Sequence, residues 1–528
     1  MTKSKMKKLA MAMGVVLGGI GMAPSTQAMN LATDGLGQVL IFPYYTVQGG
    51  WATLFNITNT SDQIVAAKVR FHESLNSRDV FDFNVVMSPR DVWNGWVANN
   101  GNGPSFFTAD TTCTTLSPLP VNLATEGVPF VSPALGTDGT IAYTGAAADG
   151  GSTAVTRMNE GYVEIITMAI SAEPPATPVT PGSTLLRGAL HINGAAPTGC
   201  NDLAAAFLTP GGGAGGTDFG TLGLWFVTPA GLNPLKGSYN LLNGAEGWTA
   251  SGVPTTIANF TTASLLTMTL PPNPPVVPFD LSFLEPSLNS GNTAPVGTGQ
   301  DDAALSVGAA AGGVNAVSGL LARTHVINQW SRITDASNAW VTATDWVLTF
   351  PTKAFYVDNW PASNFSARAA ARTVPAGTTI PVAVPAAFPT PFTQTFDDSV
   401  PNPVVRRGES CDTMTPAVFN REEVRQLGAG ISPGAGNQLC FEANVLTLGA
   451  PGTVGSNILN SATARGVTPL PGANGYMDIP LAAASAVNIP QGLPVIGFMV
   501  TTRDTGGVLN EAFLVDHAYS RRIPPANP

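Results

Sequence analysis

Apolar and polar side chains alternate along residues 65–72. Val65, Ala67, Val69 and Phe71 fall on one side of the pattern, and Ala66, Lys68, Arg70 and His72 on the other. A period of two is that of a β-strand, whose successive side chains point to opposite faces. The pattern therefore predicts a half-buried strand with one apolar face and one wet face. Residues 79–87 repeat it, with Phe81, Phe83, Val85 and Met87 set against Asp82 and Asn84. Residues 38–45 and 51–59 are rich in aromatic and β-branched side chains, which suit a pleated surface, and Asn59-Thr60-Ser61-Asp62 has turn chemistry. Four consecutive strands with short polar turns describe an antiparallel meander.

Further strands are expected at residues 140–143, 161–170, 185–192 and 222–228, with Asn193-Gly194 and Asn243-Gly244 as hairpin turns. A second meander follows at 323–330, 345–350 and 354–357. In it Trp346, Leu348 and Phe350 alternate with Asp345, Val347 and Thr349. Residues 445–448, 494–502 and 511–519 complete the set. Only residues 421–426 carry local helix chemistry. Residues 98–156, the glycine tract 211–216 and the proline-rich stretches 174–181 and 361–403 read mainly as loop. The expected fold class is mainly β: two antiparallel β-sandwich domains, immunoglobulin-like or jelly-roll-like, with long Gly/Pro-rich loops.

The chain of 528 residues exceeds one ordinary core. Residues 271–278 contain five prolines, too many for a central strand, and form a stiff spacer. The expected organisation is therefore residues 29–270, a linker at 271–278, and residues 279–528. Residues 1–28 read as a secretory signal peptide. Lys3, Lys5, Lys7 and Lys8 precede an apolar stretch, and small residues allow cleavage after Ala28. Residues 303–322 carry no charge, but they are Ala-, Gly- and Ser-rich with Asn315 among them, which favours a packed segment over a membrane span. No transmembrane anchor is expected after signal cleavage.

Charged residues are 11% of the chain, less than half the usual share of about 25%. Removing the four N-terminal lysines takes the net charge from −10 to −14. An acidic body repels phosphate backbones and makes nucleic acid a poor partner; no cofactor is expected, and calcium is the cation that would suit it, in a structural role. Cys113, Cys200, Cys411 and Cys440 form an even set in a chain read as exported, which favours disulfides. Pairing 113 with 200 and 411 with 440 closes one loop in each half. Closely spaced metal-binding cysteines are absent from the sequence.

Candidate catalytic and ligand-binding residues are few. His72 and His191 are expected on exposed faces, while His517 shares a face with Phe513, Val515 and Tyr519 and is expected to be partly buried with a hydrogen-bond partner. His325 completes the histidines. His72-Glu73 begins like a zinc-protease motif, but Asn76 stands where the second histidine belongs. Glu164 interrupts an apolar strand and is the acid to inspect first, most simply as a salt-bridge partner or a residue on an exposed face. Asp301-Asp302 and Asp397-Asp398 read as loop acids able to offer oxygen ligands to calcium. Trp93, Trp96, Trp330, Trp340, Trp346 and Trp360 suit either core packing or stacking on sugar rings.

Residues 39–62, 69–93 and 344–358 resemble segments of exported bacterial proteins described as surface or secreted proteins. The resemblance, in these segments and in the overall layout, extends to about a third of the chain and implies an envelope location, with no activity, cofactor or site residue attached. The reading that follows is a non-enzymatic structural or adhesive component of the cell surface, a surface-layer, matrix or filament-like assembly. Its partners would be itself, other envelope proteins or polysaccharide. The alternatives are a carbohydrate-binding protein using exposed tryptophans and, last, a secreted hydrolase working through Glu164.

Overall fold

The computed structural model describes residues 28–75, 77–116, 121–130, 152, 154–172, 184–208, 226–266, 286–291, 313–335, 340–357, 391–392, 411–432, 437–449, 457–481, 492–505 and 510–520. The fold is mainly β, made of several antiparallel sheets. The signal-peptide reading, the linker at 271–278, the strand at 140–143, the four loop aspartates and Trp360 lie outside these residues, as do 174–181 and 211–216.

The first meander forms where the alternation places it, as Val39–Thr46, Trp51–Asn59, Val65–Glu73 and Asp79–Met87. Its strands divide between two sheets. One runs Asn30–Leu31, Thr255–Ala258, Val39–Thr46, Glu160–Ser171, Val65–Glu73, Asp79–Met87, Cys113–Thr114. The other runs Trp248–Gly252, Leu235–Asn243, Trp51–Asn59, Val92–Asn99, Pro104–Phe107, Val128–Pro129. Val69, Phe71, Phe81 and Phe83 of the first meet Phe55, Trp93, Phe106 and Tyr239 of the second in one core. In the second half, Trp340–Thr349 is flanked by Ala443–Leu448 and Ile496–Asp504, and this sheet also has two working faces. Trp346, Leu348 and Met499 pack with Val326, Trp330 and Met477 of a further sheet. Val347, Val445, Phe498 and Val500 turn the other way, into the first half's core. Phe498 meets Tyr44 at 6.4 Å and Tyr239 at 6.0 Å between ring centroids.

The backbone joins the halves as well. Glu442 N–H and Ala443 N–H both donate to the Ser74 carbonyl, and the Thr349 hydroxyl donates to the Pro43 carbonyl at 2.5 Å. Both expected disulfides are present, Cys113–Cys200 and Cys411–Cys440. Among the described residues no helix is long and apolar enough to cross a membrane. The helix Gly313–Leu321, from the uncharged stretch, packs its Val317, Leu320 and Leu321 on the outer face of the first sheet.

Four local expectations are corrected. Residues 421–426 are not helical: Glu423 takes φ 62° in a turn, and Arg425–Gln426 pairs with Val418 and Phe419 as an edge strand. Residues 354–357 form a helical turn instead of a strand. Residues 185–192 contain the short helix Thr184–Arg187 and then a turn, with Asn193-Gly194 making the expected tight reversal between Ile192 and Ala195. The largest correction concerns the meander's wet face. All nine residues of Val65–Glu73 and all nine of Asp79–Met87 are buried, because the remaining chain covers the face that alternation assigns to solvent.

Candidate functional site

That covered face carries the densest set of ionisable side chains among the described residues. Strand register alone brings them together: Arg70 stands opposite Asp82 on one neighbour and Glu164 on the other, and His72 opposite Asp79 and Tyr162. Lys68 Nζ lies 2.7 Å from Asp82 Oδ1. Arg70 pairs with Asp79 through Nη2 and donates to the Pro286 carbonyl from Nη1 at 3.1 Å. His72 Nδ1 lies 3.0 Å from Asp79 Oδ1 and donates to the Ser77 carbonyl at 3.1 Å; Nε2 lies 3.6 Å from Glu164 Oε2. None of these side chains is more than 7% exposed.

The turn after His72 makes the arrangement close. Ser77 adopts φ 59°, a left-handed conformation that side-chain-bearing residues seldom take. Its hydroxyl lies 2.8 Å from the Tyr162 hydroxyl. Gly161, beside Tyr162, has no room for a Cβ, which would sit 1.8 Å from the His72 carbonyl oxygen. Beyond the turn, Glu73 holds Arg157, whose Nε and Nη2 lie 3.2 Å from the two carboxylate oxygens, and accepts the amides of Leu75 and Arg78. Glu442, from the second half, approaches Glu73, Ser77, Lys353 and the backbone amide of Ala354. Lys353 donates to the Cys440 carbonyl at 2.9 Å.

Charge balance explains how such a cluster is tolerated. Lys68, Arg70 and a protonated His72 face Asp79, Asp82 and Glu164, so positive and negative groups match in number only when the imidazole is charged. Burial alone would lower the His72 pKa, but Asp79 and Glu164 overcome it and raise it to about 10. Burial would likewise raise Asp79, yet Arg70 and His72 hold it at about 2. Glu442 is pushed up to about 8 by burial, with Lys353 opposing and Glu73 adding.

Sequence-predicted residues meet different fates. Glu164 is buried and pairs with His72, and it shares its face with Tyr162, Ile166 and Met168 in an apolar layer. His72, expected outside, is inside. His191 is half-buried instead of exposed, 3.0 Å from the Ser88 hydroxyl. His517 is more fully buried than expected, its Nε2 3.0 Å from the Val347 carbonyl and Nδ1 3.1 Å from Asn328 Nδ2. His325 Nδ1 lies 2.8 Å from Asp478 Oδ1 at the surface. Trp93, Trp330 and Trp346 are core, while Trp96 is half-buried on the outer face of the second sheet, stacked on Phe107 with planes 8° apart. Asp79, Arg70 and Lys68 were missed as a buried set. Opposite charges on two strands separated by one short turn were the available signal. Glu442 has no such signal, because only the tertiary fold brings it near.

Acid–base chemistry on a substrate needs a reachable proton, and these groups are closed in. Among the described residues no three His, Cys, Asp or Glu side chains gather into a metal-holding group. What the row can do is fix strand register and hold the covering chain in place. No family model, no curated protein and no solved structure matches this chain.

Proposed function

We propose that the chain is an exported structural or adhesive component of a bacterial cell surface, built from β-sandwich-type units and working by association with copies of itself, other envelope proteins or polysaccharide. The observation that carries this reading is the enclosure of the ionic row. Among the described residues, the acidic and basic groups of this row are spent on each other inside the fold, none more than 7% exposed. Two disulfides and the signal-like N-terminus support an oxidising, extracytoplasmic destination. Calcium is a candidate bridge through the loop aspartates. Cell fractionation tests the reading: the mature protein should remain with the envelope and be released by a chelator. A monomer free in the medium and indifferent to chelator would overturn it.

One observation favours carbohydrate binding as a second reading. Trp96 lies on an outer sheet face in register with Leu54 and, through it, Asn240, with Asn56 and Asn94 in the next row. A ring beside neutral amides suits a sugar's apolar face and hydroxyls. Trp96→Ala should abolish binding on a glycan array; an array with no ligand for the unaltered protein removes this reading.

A further inference from the structure

Residues 457–463, in the second half of the chain, are gripped by a carboxyl group from each half. Asp345 in the Trp340–Thr349 strand accepts the Leu459 amide at Oδ2, 2.9 Å away. Glu160, from the first half, accepts the Thr463 hydroxyl at Oε1, 3.4 Å away, and the Tyr44 hydroxyl at Oε2, 2.5 Å away. Between these grips Leu459 is fully buried in the core that both halves share. The Trp51 indole of the first half donates to the Ile458 carbonyl at 2.9 Å. The segment is therefore the bolt of the seam: it docks on one half and is fastened to the other.

Among the described residues neither carboxyl is paired with a cation. Asp345 is wholly buried, and its other neighbours are Thr447 and the backbone amides of Asn457 and Ile458. Glu160 faces Ser461 beside Thr463 and Tyr44. Tyr45, on the same strand as Tyr44, feels both Glu160 and Glu73, and Glu73 is committed to Arg157. A carboxyl in such surroundings keeps its proton longer than in water. Burial raises Asp345 to about 7, the hydrogen-bond donors around it opposing, and raises Glu160 above its ordinary value.

We propose that residues 457–463 are a pH-operated latch between the two halves of the chain, closed while Asp345 and Glu160 are protonated and released as they ionise. The sign follows from linkage. A group whose pKa is higher in the closed state favours closure at low pH, and that advantage is lost as pH rises through the closed-state value. The exchange of backbone amides in the full-length chain reads the opening directly. With Asp345 at 3.8 when open and about 7 when closed, protection of residues 457–463 should fall roughly fifty-fold between pH 5 and pH 7, after correction for chemical exchange. The strand Asn474–Pro480, away from the seam, should stay more strongly protected than residues 457–463 at each pH, because it opens only with the whole chain. In Asp345→Asn the fall should flatten; should that variant not fold, Glu160→Gln serves, with a shallower fall expected. Unchanged protection in the unaltered chain, protection of residues 457–463 no lower than that of Asn474–Pro480, or a variant that keeps the full pH dependence would each overturn the latch.

Discussion

His72 lies against Tyr162, ring centroids 4.8 Å apart and planes 17° from parallel, so a charged imidazole is sheltered by a phenol ring inside the sheet. The stack adds a cation–π contribution to the two carboxylates that flank the ring. It also shows why the polar face of the meander survives burial: its charges are met by partners on adjacent strands rather than by water.

Removing one member of the row should therefore be costly. Arg70→Met leaves Asp79 without its guanidinium in a dry layer, and a loss of about 3–5 kcal/mol is expected in denaturant unfolding. Arg90→Ala is the contrast, since its pair with Asp62 is two-thirds exposed on both sides and is expected to matter by about 0.5 kcal/mol. Equal effects would mean that the row is hydrated.

Glu164→Gln should lower the His72 pKa from its raised value near 10, because one of the two carboxylates responsible is neutralised. With only four histidines in the chain, an NMR titration of labelled imidazoles resolves the shift. An unmoved His72 pKa would show that Asp79 alone sets it.

Stability is expected to decline from pH 5 to pH 9. Asp345 and Glu442 have folded pKa values of about 7 and 8, above their ordinary 3.8 and 4.5, so their contribution is full below the ordinary values and is lost as pH rises through the folded ones. His72 acts in the same direction: its contribution is full below 6.5 and lost through about 10. Asp79 acts in the other direction, present above 3.8 and lost only as pH falls through about 2. Urea midpoints at pH 5, 7 and 9 measure the trend, and a rising midpoint would contradict it.

Phe498→Ala opens a hole between Tyr44 and Tyr239, and a loss of about 3–5 kcal/mol is expected. Because that core belongs to both halves, calorimetry should show one transition moving as a unit. Two transitions, with only the later one displaced, would mean that the halves melt separately.

Reduction should also destabilise the chain. Loop-closure entropy gives about 4.5 kcal/mol as an upper value for Cys113–Cys200, separated by 87 positions, and about 3.5 kcal/mol for Cys411–Cys440, separated by 29. Single Cys→Ser variants at Cys200 and Cys411, unfolded in urea, rank the two.

The strands of this protein are written in its sequence, because a period of two is a local property. Val65–Glu73 and Asp79–Met87 could be found from their letters, and the cysteine pairing followed from which loops each bridge would close. Local chemistry failed where tertiary contacts overrode it: Arg421 to Gln426 has helix-forming side chains, yet a neighbouring strand claims Arg425 and Gln426. The larger decision belonged to the tertiary structure alone. Alternation distinguishes two faces of a strand but does not say what will cover the polar one. Lys68, Arg70 and His72 look like a solvated edge until distant segments close over them and Asp79, Asp82 and Glu164 neutralise them. Glu442, Asp345 and Glu160 become sensitive to pH for the same reason, since a carboxyl group's affinity for its proton is set by what surrounds it in space.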